Sequence, residues 1–330
     1  MNRKESEPPM PAADHEQLPA TSLRGRRSRE RLDVGGSALH CWRYAPAVSE
    51  PPEAGSPEAD HPFGGSAERS RPPTLLLHGL RGTHHGLEPL AAALPERELL
   101  IPDLPGFGDS GPMSTRRHDV AGYARTVVEL LRRLDHGGER IDLLGHSFGS
   151  VIAAAVAAGS PELVRRLVLL NPISTPASHG PAALLARLTS VYYRIGELLP
   201  ARLGRALLSN RWIVLGASHA MLRSRDPRVR RFVHDSHLRH FSRFHSPALL
   251  VETYRSSISD TVADHAAELT VPTLLIAGET DEIAPLTGQR RMRDSLVDAR
   301  LEVIEEVGHL VHYEAPRHAA RSIRRFLDAA

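Results

Sequence analysis

Short apolar runs alternate with amphipathic stretches along much of the chain. A run of four to eight apolar residues is typical of a strand buried on both faces, whereas apolar residues at intervals of three and four are typical of a helix. The predicted strands are residues 74–78, 98–103, 141–145 and 163–170, and the predicted helices are residues 85–94, 119–134 and 151–158. This alternation predicts a parallel sheet covered by helices on both faces.

Four more strands complete the predicted sheet. Two alternating runs meet at Gly35-Gly36 within residues 31–44, and a glycine pair between such runs indicates a β-hairpin. Apolar runs recur at residues 273–277 and 301–304. The predicted fold class is therefore α/β, with a mostly parallel eight-stranded sheet.

The alternation of strand and helix stops between residues 173 and 269. Residues 182–188 and 191–199 carry apolar side chains at intervals of three and four, which indicates helices. We therefore predict a core in two parts, residues 27–172 and 270–330, with a helical insertion at 173–269, after the sixth strand.

Two segments lie outside this pattern. Residues 1–26 are rich in Pro, Glu, Ala and Arg and predict a disordered tail. Residues 48–73 are rich in Pro and Gly and predict a long surface loop. Residues 1–26 hold no apolar run that would suit a signal peptide or a membrane span, which favours a cytoplasmic protein.

Composition and charge limit the kinds of binding partner to expect. The 330 residues carry a net charge of +2, which gives no reason to expect nucleic acid, and the single cysteine, Cys41, excludes an internal disulfide framework. Between Pro181 and His245 there are twelve arginines and three acidic residues. This surplus suits either a solvated face or peripheral contact with an anionic membrane. The oligomeric state is left open.

The stretch Gly145-His-Ser-Phe-Gly149 joins a predicted strand to an Ala-rich predicted helix. Such a turn forces unusual dihedral angles on Ser147, and flanking glycines avoid clashes with the neighbouring backbone. The serine hydroxyl is then exposed at the carboxyl end of the sheet, beside the positive end of the helix dipole. This context predicts that Ser147 is a nucleophile.

A second glycine motif allows another interpretation. Residues 106–111, Gly-Phe-Gly-Asp-Ser-Gly, match the dinucleotide-binding fingerprint after a strand. That fingerprint requires a helix to begin at once, but residues 112–117 intervene, and no acidic residue ends a strand about twenty residues later. A nicotinamide enzyme is therefore disfavoured.

The chain resembles the α/β-hydrolase fold superfamily from about Leu32 to Ala330. The motifs that carry the resemblance are His78-Gly79, Asp103-Leu-Pro-Gly-Phe-Gly-Asp-Ser110, Gly145-His-Ser-Phe-Gly149, Gly278-Glu-Thr-Asp281, and Gly308-His309 followed by Glu314-Ala-Pro316. Together, in this order and spacing, they are specific. The resemblance implies that the helical insertion is a cap over the active site.

A serine nucleophile needs a base within hydrogen-bond reach, and the base needs a third group to fix its tautomer. His309 and Asp281 each follow a predicted late strand, so both should lie at the same sheet edge as Ser147. The order Ser147, Asp281, His309 matches that of the superfamily. His312 is an alternative base, but it lies nearer the last helix. Asn171, where some members place the acid, cannot serve as an anion.

The resemblance also implies two oxyanion-hole amides, on Leu80 and Phe148. The candidate pocket residues are aromatic or imidazole side chains that are also compatible with plain packing: His78, His146, Tyr192, Tyr193 and Trp212. No metal is predicted, because the third histidine of His234-Asp-Ser-His237-Leu-Arg-His240 is rotated away from the first on a helix.

These observations predict a serine hydrolase that needs no cofactor. The expected substrate is a small-molecule carboxylic ester or related acyl compound with an apolar substituent, cleaved through an acyl-enzyme. Carbon–carbon bond hydrolysis, thioester hydrolysis and cofactor-free perhydrolysis remain open on the same residues. A non-catalytic ligand-binding protein on a hydrolase fold is the alternative of another class.

Overall fold

The computed structural model describes residues 23, 25–47, 71–134, 138–176 and 183–329. Most of the predicted tail and loop, residues 1–22 and 48–70, lies outside the described residues. Eight strands form one sheet: β1 Arg27–Val34, β2 Ser37–Tyr44, β3 Thr74–Leu77, β4 Leu99–Pro102, β5 Ile141–His146, β6 Val164–Leu170, β7 Thr273–Gly278 and β8 Ala299–Ile304.

The strand order is β1-β2-β4-β3-β5-β6-β7-β8. The pairs β1·β2 and β2·β4 are antiparallel, and the pairs from β4·β3 to β7·β8 are parallel. The prediction of a mostly parallel eight-stranded sheet is confirmed. The predicted hairpin is also present, because Gly35 and Gly36 take positive φ angles of 64° and 70° between β1 and β2.

Eleven α-helices lie within the described residues. They are α1 His84–Ala93, α2 Val120–Arg133, α3 Phe148–Gly159, α4 Ala183–Leu198, α5 Ala201–Leu208, α6 Arg211–Met221, α7 Pro227–His240, α8 Pro247–Ser259, α9 Leu286–Ser295, α10 Val311–Glu314 and α11 Pro316–Leu327. Each predicted helix of the core is found with boundaries shifted by a few residues at most. None of the helices in the described part of the chain is both long and apolar enough to cross a membrane.

The sheet has an apolar core on each face. Leu75 and Leu143 pack on one side in a cluster with α2 and α3, whereas Leu76 and Leu144 pack on the other side with α1 and α11. These leucines alternate because successive side chains of a strand point to opposite faces. Both faces are covered, which explains why the central strands are continuously apolar.

Five helices, α4 to α8, lie between β6 and β7. We call them the helical insertion. Their position in the chain agrees with the prediction of helices after the sixth strand. They contact the core through the loops that follow β3, β4 and β8, at the carboxyl edge of the parallel strands.

Candidate active site

Ser147 lies on the tight turn between β5 and α3. Its dihedral angles are φ 53° and ψ −122°, a conformation that a side chain with a Cβ rarely adopts. Three other non-glycine residues with positive φ, Arg81, Asn171 and Glu306, lie in loops after β3, β6 and β8. Backbone strain in the described chain is therefore concentrated at the carboxyl edge of the sheet, where Ser147 also lies.

The two glycines of the turn are required by close backbone contacts. A Cβ on Gly145 would lie 2.2 Å from the carbonyl oxygen of Gly149, and a Cβ on Gly149 would lie 2.4 Å from that of Leu77. Both distances are shorter than van der Waals contact. This turn can therefore form only if residues 145 and 149 are both glycine.

His309 and Asp281 meet Ser147 in a continuous hydrogen-bonded chain. Nε2 of His309 lies 2.8 Å from Oγ of Ser147, and Nδ1 of His309 lies 2.8 Å from Oδ2 of Asp281. His309 is 4% exposed and lies in the loop after β8, as predicted. With a proton on Nδ1 donated to Asp281, Nε2 is free to accept the hydroxyl proton of Ser147.

The Asp281 carboxylate is held from three directions. Its Oδ1 accepts hydrogen bonds from the backbone amides of Ile283 and Ala284, at 2.8 and 3.0 Å. Its Oδ2 also accepts from the side-chain amide of Asn171 at 2.8 Å. Burial alone would raise the pKa of Asp281, but the charge and hydrogen bond of His309, together with the backbone amides of Ala284 and Ile283, lower it below its usual value. Asp281 therefore stays ionised at neutral pH.

Asn171 is a site residue that sequence reasoning assigned no role. It directly follows β6 with φ 46°, and its amide also donates to the carbonyl oxygen of Gly308 at 3.2 Å. Asn171 thus ties Asp281 to the loop that carries His309. The sequence does contain one indication of this role: Asn171 is a polar residue at the end of β6, the strand next to β7.

The loop after β3 lies directly against the nucleophile. A Cβ on Gly79 would lie 3.1 Å from Cβ of Ser147. Phe148 is the first residue of α3, so its amide has no acceptor within the helix. The described hydrogen bonds likewise give the Leu80 amide no acceptor. Neither of the two amides predicted for the oxyanion hole therefore has a backbone acceptor among the described contacts.

Two more histidines pack behind His309. Nε2 of His146 lies 3.0 Å from the carbonyl oxygen of His309, and its ring centroid is 4.0 Å from that of His312. Burial, reinforced by the charge of His309, lowers the pKa of His146 to about 3, and burial lowers that of His312 well below its usual value. These rings are therefore neutral. His312, the alternative base, contacts His146 instead of Ser147.

The structure corrects two of the predicted pocket residues. His78 is 2% exposed. Its Nε2 accepts a hydrogen bond from the Leu104 amide at 2.9 Å, and its Nδ1 donates one to the carbonyl oxygen of Gly79 at 2.8 Å. Both ring nitrogens are therefore bonded to the backbone, and neither is free to bind a ligand. Trp212 is 71% exposed on α6 and does not line an enclosed pocket. An amphipathic pattern alone does not say which face of a helix is packed.

Tyr192 and Tyr193 lie on α4 of the insertion. The hydroxyl of Tyr192 donates to the carbonyl oxygen of Leu207 at 3.1 Å, and the ring of Tyr193 stacks on Tyr254 with centroids 4.0 Å apart. Tyr193 is buried and Tyr192 is half-buried. Both side chains are therefore held in place by contacts within the insertion.

Arg81 is a buried cation that links the loop after β3 to the helical insertion. Its Nη2 donates to the carbonyl oxygen of Leu208 at 2.7 Å, at the end of α5, and its Nε donates to that of Phe241 at 3.0 Å, at the end of α7. Its guanidinium carbon lies 4.9 Å from the ring centroid of Phe241. No carboxylate among the described residues pairs with Arg81, so the negative ends of two helix dipoles supply the opposing charge.

Replacing Arg81 with alanine should lower the free energy of unfolding by about 2–4 kcal/mol, because two buried carbonyl groups lose a charged donor. Replacement with glycine should cost about 1 kcal/mol less than alanine, because Arg81 has a φ of 61° that glycine adopts without strain. Urea denaturation of both variants measures the difference. An alanine variant as stable as the wild type would show that the contacts of Arg81 contribute nothing.

Glu314, which follows the Gly308-His309 motif, joins the loop that carries His309 to the insertion. Its Oε2 accepts from the Arg223 amide at 2.8 Å, and its Oε1 accepts from the Gly308 amide at 3.3 Å. Burial raises the pKa of Glu314 despite these hydrogen bonds. Residues of the insertion are thus fixed directly beside His309.

The motif at residues 103–111 has a structural function. Oδ1 of Asp103 accepts from the His84 amide at 2.7 Å, and a Cβ on Gly108 would lie 1.9 Å from Oδ2 of Asp103. The next helix, α2, begins only at Val120. This loop is therefore folded around Asp103 and does not open a helix toward a pyrophosphate, which agrees with the sequence argument against a dinucleotide.

Two clusters of histidines lie outside the Ser147 site. Nδ1 of both His234 and His237 lies 2.8 Å from Oγ of Ser218, so a serine hydroxyl occupies the position between them. The ligand atoms of His84, His85 and Glu88 lie within 4.8 Å of one another. However, Arg27 lies 2.9 Å from Glu88 and already neutralises this carboxylate. We assign a metal to neither cluster.

Comparison with known proteins identifies the family of the chain. The model of the α/β hydrolase fold family matches residues 72–316, and the chain therefore belongs to this family and is an α/β hydrolase. It is 23% identical over 265 residues to Lipase 3 of Moraxella sp. (strain TA144), covering 78% of this chain and 77% of that protein.

Two further relatives show how far the similarity extends. The chain is 28% identical over 231 residues to Protein ABHD8 of Bos taurus, covering 70% of this chain and 49% of that protein, so it spans about half the length of that relative. The crystal structure of a membrane phospholipase A, a bacterial virulence factor, superposes with a TM-score of 0.66 at 22% identity, covering 93% of this chain and 88% of that one. At this identity the superposition shows the fold alone.

Proposed function

We propose that this α/β hydrolase is a serine hydrolase that cleaves a carboxylic ester, or a related acyl compound, through an acyl-enzyme. The observation that supports the proposal is the chain of two 2.8 Å hydrogen bonds from Ser147 through His309 to Asp281. A hydroxyl is a weak nucleophile at neutral pH, and this arrangement supplies both the base and the group that orients it.

In the proposed mechanism, Oγ of Ser147 attacks the acyl carbon while its proton passes to Nε2 of His309. The developing oxyanion is held by the amides of Leu80 and Phe148, and the positive end of α3 adds to its stabilisation. His309 then gives the proton to the leaving alcohol. A water molecule, deprotonated by His309, hydrolyses the acyl-enzyme and restores Ser147.

Asp281 keeps its charge throughout this cycle. Its lowered pKa means that it accepts the Nδ1 proton of His309 as a hydrogen bond and does not take it up. Asn171 supports this arrangement because its amide donates to the same carboxylate oxygen. Asp281 thereby stabilises the imidazolium that forms when His309 accepts the serine proton.

We further propose that the helical insertion is the cap of the site and sets the preference for an apolar substituent. Arg81 and Glu314 connect it to the loops that carry Leu80 and His309. A Cβ on Gly308 would lie 2.8 Å from the carbonyl oxygen of Met221, so the insertion lies against the residue before His309. Two aromatic side chains of the insertion, Phe241 and Phe244, pack on the guanidinium of Arg81 in the loop after β3.

The proposal is tested with p-nitrophenyl esters of increasing acyl length and with a fluorophosphonate label. Hydrolysis together with labelling at Ser147 is the expected result, and the preferred acyl length measures the pocket. Labelling without ester hydrolysis would transfer the proposal to thioesters or to carbon–carbon bonds. Absence of both would support a non-catalytic binding protein.

A further inference from the structure

One face of α4 is apolar and open to solvent. It is formed by Leu188, Val191, Ile195 and Leu198, whose side chains are 47–72% exposed. Their spacing of three, four and three residues places them along a single line on the helix. We call this line the α4 apolar stripe.

Exposed apolar side chains are concentrated in the insertion. Ten large apolar side chains are exposed in the described part of the chain, and eight of them lie on α4 to α7: Leu188, Val191, Ile195, Leu198, Leu203, Trp212, Ile213 and Phe232. Single exposed apolar residues are normal on a protein surface, whereas a contiguous group marks a contact surface.

The stripe is not a core-facing side of α4. That side is already packed, because a Cβ on Gly196 would lie 2.6 Å from Cγ of Leu208 in α5, and Tyr193 stacks on Tyr254 of α8. An amphipathic helix needs only one apolar face to fold onto its protein. The second apolar face of α4 is therefore left without a partner within the described residues.

Exposed cations border the stripe. Arg187 and Arg194 lie seven residues apart on α4, along one edge of the stripe, and Arg202 is exposed at the start of α5. The acidic residue of α4, Glu197, is paired with Arg255 at 2.5 Å. On α6 the guanidinium of Arg211 lies 5.2 Å from the ring centroid of Trp212. The surface around the stripe is therefore both apolar and positively charged.

We propose that the α4 apolar stripe and its bordering arginines dock the protein onto an anionic phospholipid bilayer. The helix lies in the plane of the interface, with the four apolar side chains at the acyl boundary and the guanidinium groups on lipid phosphates. Charge complementarity selects this occupant, because a second copy would bring an equally cationic surface to the stripe. This contact is peripheral and does not depend on the proposed hydrolase activity.

The test is flotation with vesicles of ether-linked lipids, which contain no cleavable acyl ester. Vesicles of phosphatidylcholine with about one third phosphatidylglycerol should bind the protein, and vesicles of pure phosphatidylcholine should bind at least tenfold less. The double variant R187Q/R194Q should weaken binding by about 10–30-fold, since each arginine contributes about 1 kcal/mol at an anionic surface. The double variant L188S/I195S should weaken it at least tenfold.

Matched controls separate docking from general charge and polarity. R290Q/R291Q removes two exposed arginines from α9, and V297S changes an exposed residue outside the insertion; both should bind as the wild type does. Unchanged melting temperatures show that all variants remain folded. Equal binding to neutral vesicles, equal binding by the stripe variants, or no binding would overturn the proposal. A stripe-dependent dimer in light scattering would also overturn it.

Discussion

Replacing Ser147 with alanine is expected to lower the turnover number for the best p-nitrophenyl ester by about four to six orders of magnitude, because a nucleophile and its base act as a unit. The KM should change little, since the Oγ contributes to bond formation more than to substrate binding. The folded state should remain, because Oγ of Ser147 is held by a single hydrogen bond, to His309, among the described contacts.

The matched control for this variant is Ser160→Ala, which removes the same atom from the other end of α3. Its turnover number should stay within about threefold of the wild type. Activity of Ser147→Ala within tenfold of the wild type would sink the assignment of the nucleophile. The nucleophile would then have to be sought among the other side chains at the carboxyl edge of the sheet.

The sheet could be predicted from the sequence, and so could the proximity of Ser147, Asp281 and His309, because both depend on local patterns. Continuous apolar runs identify strands with two covered faces, and Ser147, Asp281 and His309 each follow such a run. Parallel strands end at one edge, so placing these residues after strands already brings them together. Boundaries shifted by a few residues at most, as at α1, where the predicted 85–94 is observed as His84–Ala93.

Contacts between distant segments could not be predicted in this way. Asn171 donates to Asp281 across 110 positions of sequence, and Arg81 donates to Leu208 across 127. Neither an asparagine nor an arginine in a sequence indicates which distant residue it will contact. The same limit explains His78 and Trp212, which were placed in a pocket by their neighbourhood in sequence. Their rings turn toward the backbone and toward solvent because of packing that no local pattern records.

Buried neutral histidines give the second large expected effect, a steep loss of stability in mild acid. Burial lowers the pKa of His146 to about 3 and that of His237 to about 4, and His312 is lowered well below its usual value. An unfolded chain binds protons at these residues near pH 6.5, whereas the folded chain excludes them. The stability they affect is therefore complete above about pH 6.5 and falls as the pH falls.

These three histidines together should contribute about 4 kcal/mol per pH unit to the slope between roughly pH 6 and 5, since each excluded proton contributes about 1.4 kcal/mol per unit. Carboxylates whose pKa is lowered act at a lower pH. The pKa of Asp103 is lowered because hydrogen bonds and the charges of His84 and His78 outweigh burial, so its stabilisation is lost only below about pH 4. Glu314, whose pKa is raised by burial, acts in the opposite direction, so the difference in slope between the wild type and a histidine variant measures the contribution of that histidine.

Replacing His312 with leucine should reduce this slope by about 1.4 kcal/mol per pH unit, because one buried group no longer excludes a proton. Nδ1 of His312 has no hydrogen-bond partner within the described structure, so the substitution removes no contact of that atom. Urea denaturation at several pH values measures the slope. Val311→Ala, in a neighbouring buried side chain without a titratable group, should lower stability equally at every pH. An unchanged slope in His312→Leu would mean that this histidine is protonated in the folded protein.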